Sequence, residues 1–205
     1  IISVDTETSS LDPQVAELIG ISLSYAENIS FYVPVGHKNI KGLNKDFVIK
    51  KLKPILEDPS IKKVGQNIKY DFIILKKYGV ELNSVEDTML LSYTLDAGNN
   101  RHNMDTLSEL HLNHKTISYK DLVGSGKKQL KFSEVDIDKA TEYAAEDADV
   151  TLRLYEILSE RVSDEKLSQI YEAFEKPMIK ILSKLETYGI KVDDNYLKEL
   201  SKKFE

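Results

Sequence analysis

Three short motifs combine four carboxylates with one phenol in this chain of 205 residues. Their side chains are Asp5 and Glu7 in the first motif, Asp71 in the second, and Tyr143 and Asp147 in the third. Carboxylate oxygens are the hard ligands that magnesium and manganese prefer. Such a set can hold two divalent cations over a phosphodiester, one at the attacking oxygen and one at the leaving oxygen. The motifs therefore predict metal-dependent hydrolysis of a phosphodiester.

The first motif lies near the end of an apolar segment, residues 1–7, that has the pattern of a strand. Successive side chains on a strand alternate faces, so Asp5 and Glu7 should project to one side of it. Val4 and Thr6 should face the other side. Two adjacent carboxylates raise each other's pKa unless a cation neutralises them. A contribution to the stability of the fold therefore explains this pair of carboxylates poorly. The structural alternative is a strand that runs out into solvent and carries two surface acids.

The second motif is residues 67–71, and it places Asp71 in the first turn of a helix that Asn67 is predicted to cap. The helix macrodipole also favours a carboxylate there, so a capped helix with a favourable charge is the structural alternative. Asn83 and Asp87 repeat the spacing of this pair. We prefer residues 67–71 because they stand at a strand-to-helix junction, where the sites of α/β sheets usually lie.

The third motif puts Tyr143 and Asp147 four residues apart, on one face of a predicted helix. The small side chains of Ala144 and Ala148 should let this helix pack close to a sheet. Asp149 is predicted to point to another face, toward solvent. A surface tyrosine–aspartate pair on a helix is the structural alternative for this motif.

The elements that must position these residues follow from the hydrophobic periodicity. Strand patterns over residues 1–7, 18–26 and 29–36, joined by short polar turns, predict an antiparallel meander. Helical patterns cover residues 45–56, 67–79, 88–97, 104–113 and 136–162, while residues 62–66 and 80–87 are extended and residues 114–132 are mostly irregular. Strands followed by strand–helix alternation predict an α/β fold, a mixed sheet flanked by helices with a helical C-terminal extension.

The helical pattern breaks near residues 163–164, and a long helix ended by Gly189 and a further helix follow. We therefore expect two units, residues 1–163 and a truncated helical unit of residues 164–205. Because the chain opens inside a strand pattern and stops inside a helical pattern, we expect it to be a fragment of a longer protein.

The composition narrows the class of protein. A hydrophobic fraction of 41% and a charged fraction of 30% suit a soluble globular chain. The absence of cysteine excludes a disulfide framework and a thiolate metal site, and no apolar run is long enough for a membrane span. A net charge of −6 argues against a broad duplex-binding surface but permits a pocket for a few nucleotides.

Together with their surrounding residues, the three motifs resemble the DEDD superfamily of 3′–5′ exonucleases, in the subclass whose third motif carries tyrosine. More closely, the chain resembles the proofreading domain of bacterial family A DNA polymerases over nearly its whole length. The matching segments are DTETSSLD, KVGQNIKYD, DTMLLSY, RHNMDTL, HKTIS and YAAEDADVTL. Residues 174–193, FEKPMIKILSKLETYGIKVD, resemble the start of the polymerase domain.

The resemblance implies a ribonuclease-H-like fold and a two-metal exonuclease that releases 5′-mononucleotides from single-stranded or frayed DNA 3′ ends. It further implies Mg2+ as the metal ion, with Mn2+ or Zn2+ as substitutes. The expected partner is a polymerase domain in cis, and the protein is expected to be a monomer in the bacterial cytoplasm, associated with the nucleoid and not attached to a membrane. By the same resemblance, Asp5 would bridge the two ions. Glu7 and Asp147 would complete the site at the attacking water. Asp71 would hold the second ion, largely through waters, and Tyr143 would orient the attacking water.

Seven further positions match substrate contacts of this family: Leu11, Gln66, Asn67, Tyr70, Met89, Arg101 and Tyr119. The resemblance implies that Leu11 wedges beside the terminal base, that Met89 lines its pocket, and that Tyr119 stacks on the base. Tyrosine replaces the phenylalanine expected at that stacking position and preserves the aromatic face. Leu11 and Met89 would serve equally well as ordinary core residues.

Two other functions are consistent with the same fold. A catalytically silent scaffold would keep the fold without the carboxylates, and the presence of all five motif residues argues against it. An RNA-trimming exonuclease of the ribonuclease D type would use similar motifs, and the polymerase-like C-terminal segment argues against that function.

Overall fold

A five-stranded sheet carries the first motif on its central strand. In the computed structural model, which describes residues 1–204 apart from the Lys127 side chain, the strands are β1 (Ile2–Thr8), β2 (Leu18–Ala26), β3 (Ile29–Pro34), β4 (Lys63–Gly65) and β5 (Val85–Asp87). Their order in the sheet is β3-β2-β1-β4-β5. The β1/β2 and β2/β3 pairs are antiparallel, and the β1/β4 and β4/β5 pairs are parallel. This arrangement confirms the predicted meander and the predicted mixed α/β sheet.

Helices cover both faces of the sheet. They are α1 (Lys45–Glu57), α2 (Lys69–Lys77), α3 (Thr88–Asp96), α4 (Met104–Leu112), α5 (Tyr119–Val123), α6 (Ile137–Asp164), α7 (Ser168–Ile170), α8 (Lys176–Tyr188) and α9 (Asp194–Phe204), with a π-helical turn over Tyr171–Glu175 and 3₁₀ turns over Gly126–Lys128 and Phe132–Glu134. Most of them match the helices predicted from periodicity. Within residues 1–204, no helix combines the length and the apolar character needed to cross a membrane.

The segment of residues 114–132, predicted to be mostly irregular, contains the short helix α5. Ser118 starts this helix because its Oγ accepts a hydrogen bond from the Asp121 N–H at 3.1 Å. The cap compensates for the weak apolar pattern of these residues, which contains no long run of helical spacing.

The two faces of β1 pack against different helices. Val4 belongs to the core cluster that includes Phe72 of α2. Ser3 faces the opposite way, and its Oγ donates to the Ala148 carbonyl of α6 at 2.6 Å. Ala144 and Ala148 are fully buried, so small side chains bring α6 against the sheet as their spacing predicts.

The C-terminal helical run returns to the sheet after α6. That helix ends at Asp164, and the chain turns at Lys166, whose φ of 60° is left-handed. Tyr171 is then buried in the cluster formed with α3 and α6, and Ile179 is buried in the cluster formed with α2. The helix α9 contains no buried residue.

Polar contacts reinforce this packing at the edge strand β5. Glu86 is buried, and its carboxylate accepts hydrogen bonds from the Tyr171 hydroxyl at 2.9 Å and from the Lys176 ammonium at 2.8 Å. The Asp87 N–H donates to the same Tyr171 hydroxyl at 3.1 Å. A buried charge is tolerated when it is paired and hydrogen-bonded in this way, so these contacts fix the helical run to the sheet.

Candidate active site

Asp5, Glu7 and Asp147 meet where β1 passes α6. Alternation along the strand puts Asp5 and Glu7 on the side that faces α6, and Asp147 projects toward them from the helix. One carboxylate oxygen from each of the three residues lies within 4.8 Å of the others. Divalent cations bind carboxylate oxygens at roughly 2.0–2.6 Å. An ion between these side chains could therefore contact all three of them.

Asp71 reaches the same region from the opposite face of the sheet. It lies in the first turn of α2 and is buried. The backbone N–H and the Oγ1 of Thr6 donate to its Oδ1 at 2.8 and 2.6 Å. Thr6 faces α2 because it alternates with Asp5 and Glu7 along β1. The strand therefore presents two carboxylates on one face and orients a third carboxylate from the other face.

Among the side chains that the structure describes, which exclude that of Lys127, no positive group forms an ion pair with this carboxylate group. None of the ion pairs of these side chains includes Asp5, Glu7, Asp71 or Asp147. Burial raises the pKa of Asp5 to about 6. Burial also raises the pKa of each of the other three carboxyls well above its usual range, and repulsion by Asp5 raises each further. A bound cation would offset this cost, so the donor set fits hard divalent metal ions.

Tyr143 lies one helical turn before Asp147 on α6, and the spacing puts both on one face. Its ring packs against those of Tyr119 and Phe132, with centroid distances of 6.1 and 6.2 Å. Burial raises the pKa of the Tyr143 hydroxyl above its usual value, and the negative charges of Asp147 and Glu7 raise it further. The phenol therefore keeps its proton at neutral pH and can donate a hydrogen bond at the carboxylate cluster.

The carboxylates lie in a cleft of about 710 Å³. Its lining residues are Asp5, Thr6, Glu7, Thr8, Ser9, Ser10, Leu11, Gln66, Asn67, Tyr70, Asp71, Tyr119, Gln129, Tyr143 and Asp147. The volume is typical of sites that take a small organic ligand, and it is large enough for a nucleotide. Leu11 is 96% exposed and Tyr119 is 46% exposed, so both present apolar surface to a molecule in the cleft.

Comparison with known proteins assigns the family of this fold and cleft. Residues 1–163 match the family model of the 3′–5′ exonuclease of DNA polymerase A. The chain belongs to this exonuclease family. The chain is also 46% identical to DNA polymerase I of Rhizobium leguminosarum, in an alignment that covers 98% of this chain and 22% of that protein. The chain spans about a fifth of the length of the curated relatives it matches.

Solved structures share the fold of this exonuclease domain. The POL domain of Pol1 from M. smegmatis, in complex with a DNA primer-template and dNTP, superposes with a TM-score of 0.73 at 19% identity, covering 99% of this chain and 31% of that chain. NrnC from Brucella melitensis superposes with a TM-score of 0.72 at 22% identity, covering 95% of this chain and 88% of that chain. At these identities the likeness shows a common architecture.

The cleft of the exonuclease domain brings together most of the residues singled out from the sequence. All five motif residues line it, as do five of the seven further positions. Met89 and Arg101 are not among the lining residues. Met89 is half-buried at the start of α3, and Arg101 is exposed in the loop between α3 and α4. The exposure of Leu11 excludes a core role for that side chain.

The prediction that Asn67 caps α2 is wrong. Asn67 adopts a left-handed φ of 58°, and the helix begins at Lys69. The Asp87 carboxylate caps this region instead, because it accepts hydrogen bonds from the N–H groups of Asn67 and Ile68 at 3.0 Å each. The same carboxylate accepts from the Met89 N–H at 2.9 Å, where α3 begins. Asp87, whose spacing from Asn83 repeats that of the second motif, thus anchors the starts of α2 and α3.

The prediction that Asp149 faces solvent is also wrong. Its side chain is buried, its carboxylate accepts from the Asn28 N–H at 2.5 Å, and it lies 3.5 Å from the Arg153 guanidinium. The turn between β2 and β3, where Asn28 has a left-handed φ of 61°, comes close to α6. This contact joins residues 121 apart in the chain, so helical periodicity gives no sign of it.

Sequence reasoning found Tyr70 but missed other residues that shape the cleft, among them Thr8, Ser10 and Gln129. The Tyr70 hydroxyl donates to the Ser10 carbonyl at 2.5 Å and is hydrogen-bonded to Thr8 Oγ1 at 2.5 Å. These contacts hold the loop that carries Leu11. Gln129 lines the cleft from the segment predicted to be irregular. The hydrogen-bonded partners of Tyr70 are 60 and 62 residues away, so no short motif records them.

Proposed function

We propose that this chain is a proofreading 3′–5′ exonuclease domain that removes 5′-mononucleotides from single-stranded or frayed DNA 3′ ends. The observation that carries the proposal is the cluster of Asp5, Glu7 and Asp147, whose carboxylate oxygens lie within 4.8 Å of one another in a nucleotide-sized cleft. Membership of the exonuclease family supports the reaction class.

Two divalent cations, Mg2+ in the cell, would supply positive charge on both sides of the reacting phosphate and so stabilise the attacking and leaving oxygens. Asp5, Glu7 and Asp147 would hold one of them, and Asp71 would hold the other together with Asp5. Thr6 would keep Asp71 oriented through its two hydrogen bonds. Mn2+ or Zn2+ would serve as substitutes, because carboxylate oxygens bind these ions too.

The remaining groups would position water and substrate. Tyr143 keeps its proton, and it would orient the attacking water by a hydrogen bond from its hydroxyl. Leu11 and Tyr119 would hold the terminal base by an apolar contact and by stacking. Stacking tolerates every base because each has a π face, so the site would accept any 3′-terminal nucleotide.

A polymerase domain in cis would deliver the 3′ ends. We propose that residues 1–163 form the exonuclease unit and that residues 164–205 begin the polymerase domain. The family match over residues 1–163 supports this boundary, and the DNA polymerase I relatives support the polymerase domain. A mismatched terminus unpairs at lower cost than a matched one, so errors would be excised without any reading of base edges. We further propose that the protein acts as a monomer in the bacterial cytoplasm, associated with the nucleoid.

Degradation of labelled oligonucleotides tests the proposed reaction. With Mg2+ or Mn2+ present, the chain should shorten 5′-labelled single-stranded DNA stepwise from its 3′ end and release 5′-mononucleotides. A duplex with a mismatched 3′ terminus should be shortened faster than its matched counterpart, because its end frays more easily. Gel electrophoresis of the labelled strand measures both rates.

The same assay separates the alternatives. Faster degradation of an RNA oligonucleotide of identical sequence would favour an RNA-trimming enzyme. An absence of degradation with either nucleic acid, together with no binding of Mn2+ in a calorimetric titration, would favour a silent scaffold.

Replacement of Tyr143 by phenylalanine should lower kcat by about 10²-fold, because the attacking water loses the hydroxyl that orients it. The ring would remain packed on Tyr119 and Phe132, so KM for single-stranded DNA should stay the same. Steady-state nucleotide release measures both constants. Tyr155→Phe is the matched control, since that hydroxyl lies on the same helix and accepts a hydrogen bond from Lys62 at 2.6 Å. Equal losses in the two variants would contradict the role assigned to Tyr143.

A further inference from the structure

The linker between α4 and α5, residues 113–118, is held against α6 by Glu146. One carboxylate oxygen of Glu146, Oε1, lies 2.8 Å from His114 Nε2, and the other, Oε2, accepts from the Ile117 N–H at 2.6 Å. Glu146 stands next to Asp147 in the third motif, yet both of its oxygens are engaged by the linker. It is not one of the three carboxylates whose oxygens cluster within 4.8 Å.

Contacts with α4 also hold this linker. The Ser108 Oγ donates to the His114 carbonyl at 2.8 Å, and the Thr116 Oγ1 donates to Asp105 Oδ1 at 2.7 Å. Among the hydrogen bonds of residues 1–204, those of Glu146 alone tie the linker to α6. The glutamate therefore sets the position of the linker relative to the helix that carries Asp147.

The position of Tyr119 depends on this anchor. The helix α5 has five residues, too few for a helix to hold its own shape, and Val123 is its one buried residue. The half-exposed Tyr119 ring meets the Tyr143 ring at a steep angle of 64°. Ile117, whose N–H binds Glu146, precedes Tyr119 by two residues. A ring at the start of so short a helix is held mainly by the segment that leads into it.

We propose that Glu146 is a positioning residue for the terminal base of the substrate. By anchoring the linker to α6, Glu146 holds the Tyr119 ring beside Tyr143. The stacking surface therefore keeps a fixed position relative to the carboxylates. The inference rests on the proposed exonuclease function, because Tyr119 would meet a nucleobase only in that reaction.

Glu146→Ala should raise KM for single-stranded DNA by about tenfold, the cost of one disordered stacking contact, while kcat and the Mn2+ dissociation constant change less than about twofold. Glu146→Gln should return KM close to that of the parent chain. A glutamine can accept from the Ile117 N–H and donate to His114 Nε2, so it keeps both contacts. Glu142→Ala, which removes an exposed carboxylate from the same helix, is the control and should change neither constant.

A double-mutant cycle with Tyr119→Ala tests the route of the effect. If Glu146 acts through Tyr119, the two alanine substitutions should raise KM by similar factors, and their combination should raise it little further. Additive effects would overturn the inference, as would a fall in kcat or in Mn2+ affinity with KM unchanged. Should Glu146→Ala fail to fold, His114→Ala removes one of the two contacts and should raise KM by a smaller factor. An inactive parent chain would refute the exonuclease function itself, which is a separate result.

Discussion

Replacement of Asp5 by alanine is expected to slow nucleotide release from single-stranded DNA by about 10³-fold or more. Asp5 stands at the centre of the carboxylate group, since its charge raises the pKa of Glu7, Asp71 and Asp147 alike. Its loss would remove the one ligand that both proposed ion sites share. The variant would therefore lose charge stabilisation at the attacking and at the leaving oxygen together.

The Asp5→Ala variant should remain folded, because Asp5 takes part in no ion pair of the described residues and the core beneath it is unchanged. Circular dichroism verifies the fold, and calorimetric titration with Mn2+ should show weakened binding. Asp46→Ala removes an exposed carboxylate from α1 and should leave activity and metal affinity unaltered. Full nuclease activity of the Asp5→Ala variant would refute the metal assignment.

Without divalent cations, Asp5→Asn should make the domain more stable at pH 8, by on the order of 1–3 kcal/mol. Burial raises the pKa of Asp5 from 3.8 to about 6, which means that the folded state disfavours the charged carboxylate. An asparagine has nearly the same shape and carries no charge. It would also end the repulsion that Asp5 exerts on Glu7, Asp71 and Asp147.

The pH dependence of this gain follows from the direction of the shift. An acid whose pKa is raised by folding destabilises the folded state above that pKa, and the effect vanishes below the pKa of the unfolded chain. The advantage of Asp5→Asn should therefore be complete above pH 6, shrink as the pH falls, and vanish below pH 3.8. Thermal unfolding in the presence of a chelator measures it, as a rise of several degrees in Tm.

Metal binding should reverse the order of stability. Saturating Mn2+ stabilises the parent chain because it binds the folded state, and Asp5→Asn should gain much less. If Asp5→Asn had a lower Tm than the parent chain at pH 8 in the presence of the chelator, the result would contradict the view that repulsion among the four carboxylates destabilises the metal-free fold. The two sets of measurements together separate a ligand role from a structural one.

Local periodicity explains the parts of the fold and site that could be predicted from the sequence. Alternation along β1 puts Asp5 and Glu7 on one face, and the four-residue spacing on α6 aligns Tyr143 with Asp147. These rules depend only on residues that are close in the sequence. For the same reason, most predicted helices and strands match those of the structure. The strand-to-helix junction indicated Asp71, and the resemblance to a known family added its role in the site.

Contacts between distant segments explain the parts that could not be predicted. The hydrogen bonds from Thr6 decide how Asp71 enters the cleft, and a local pattern shows only that Thr6 faces away from Asp5. The Asp87 carboxylate replaces Asn67 as the cap because the tertiary fold brings it within 3.0 Å of two backbone N–H groups. Burial of Asp149 follows from the approach of a distant turn, which helical spacing cannot encode.

The hydroxyl of Tyr171 joins the C-terminal helical run to Glu86 and to the Asp87 backbone, and Asp87 in turn holds Asn67 at the cleft. A chain cut after residue 163 would strip Glu86 of its Tyr171 and Lys176 contacts and would uncover the surface that the run now covers. We therefore expect a chain of residues 1–163 to have a lower free energy of unfolding than a chain that continues through α8. A graft of this cleft onto another protein should accordingly retain the run through α8, which keeps Glu86 paired and Asp87 in place.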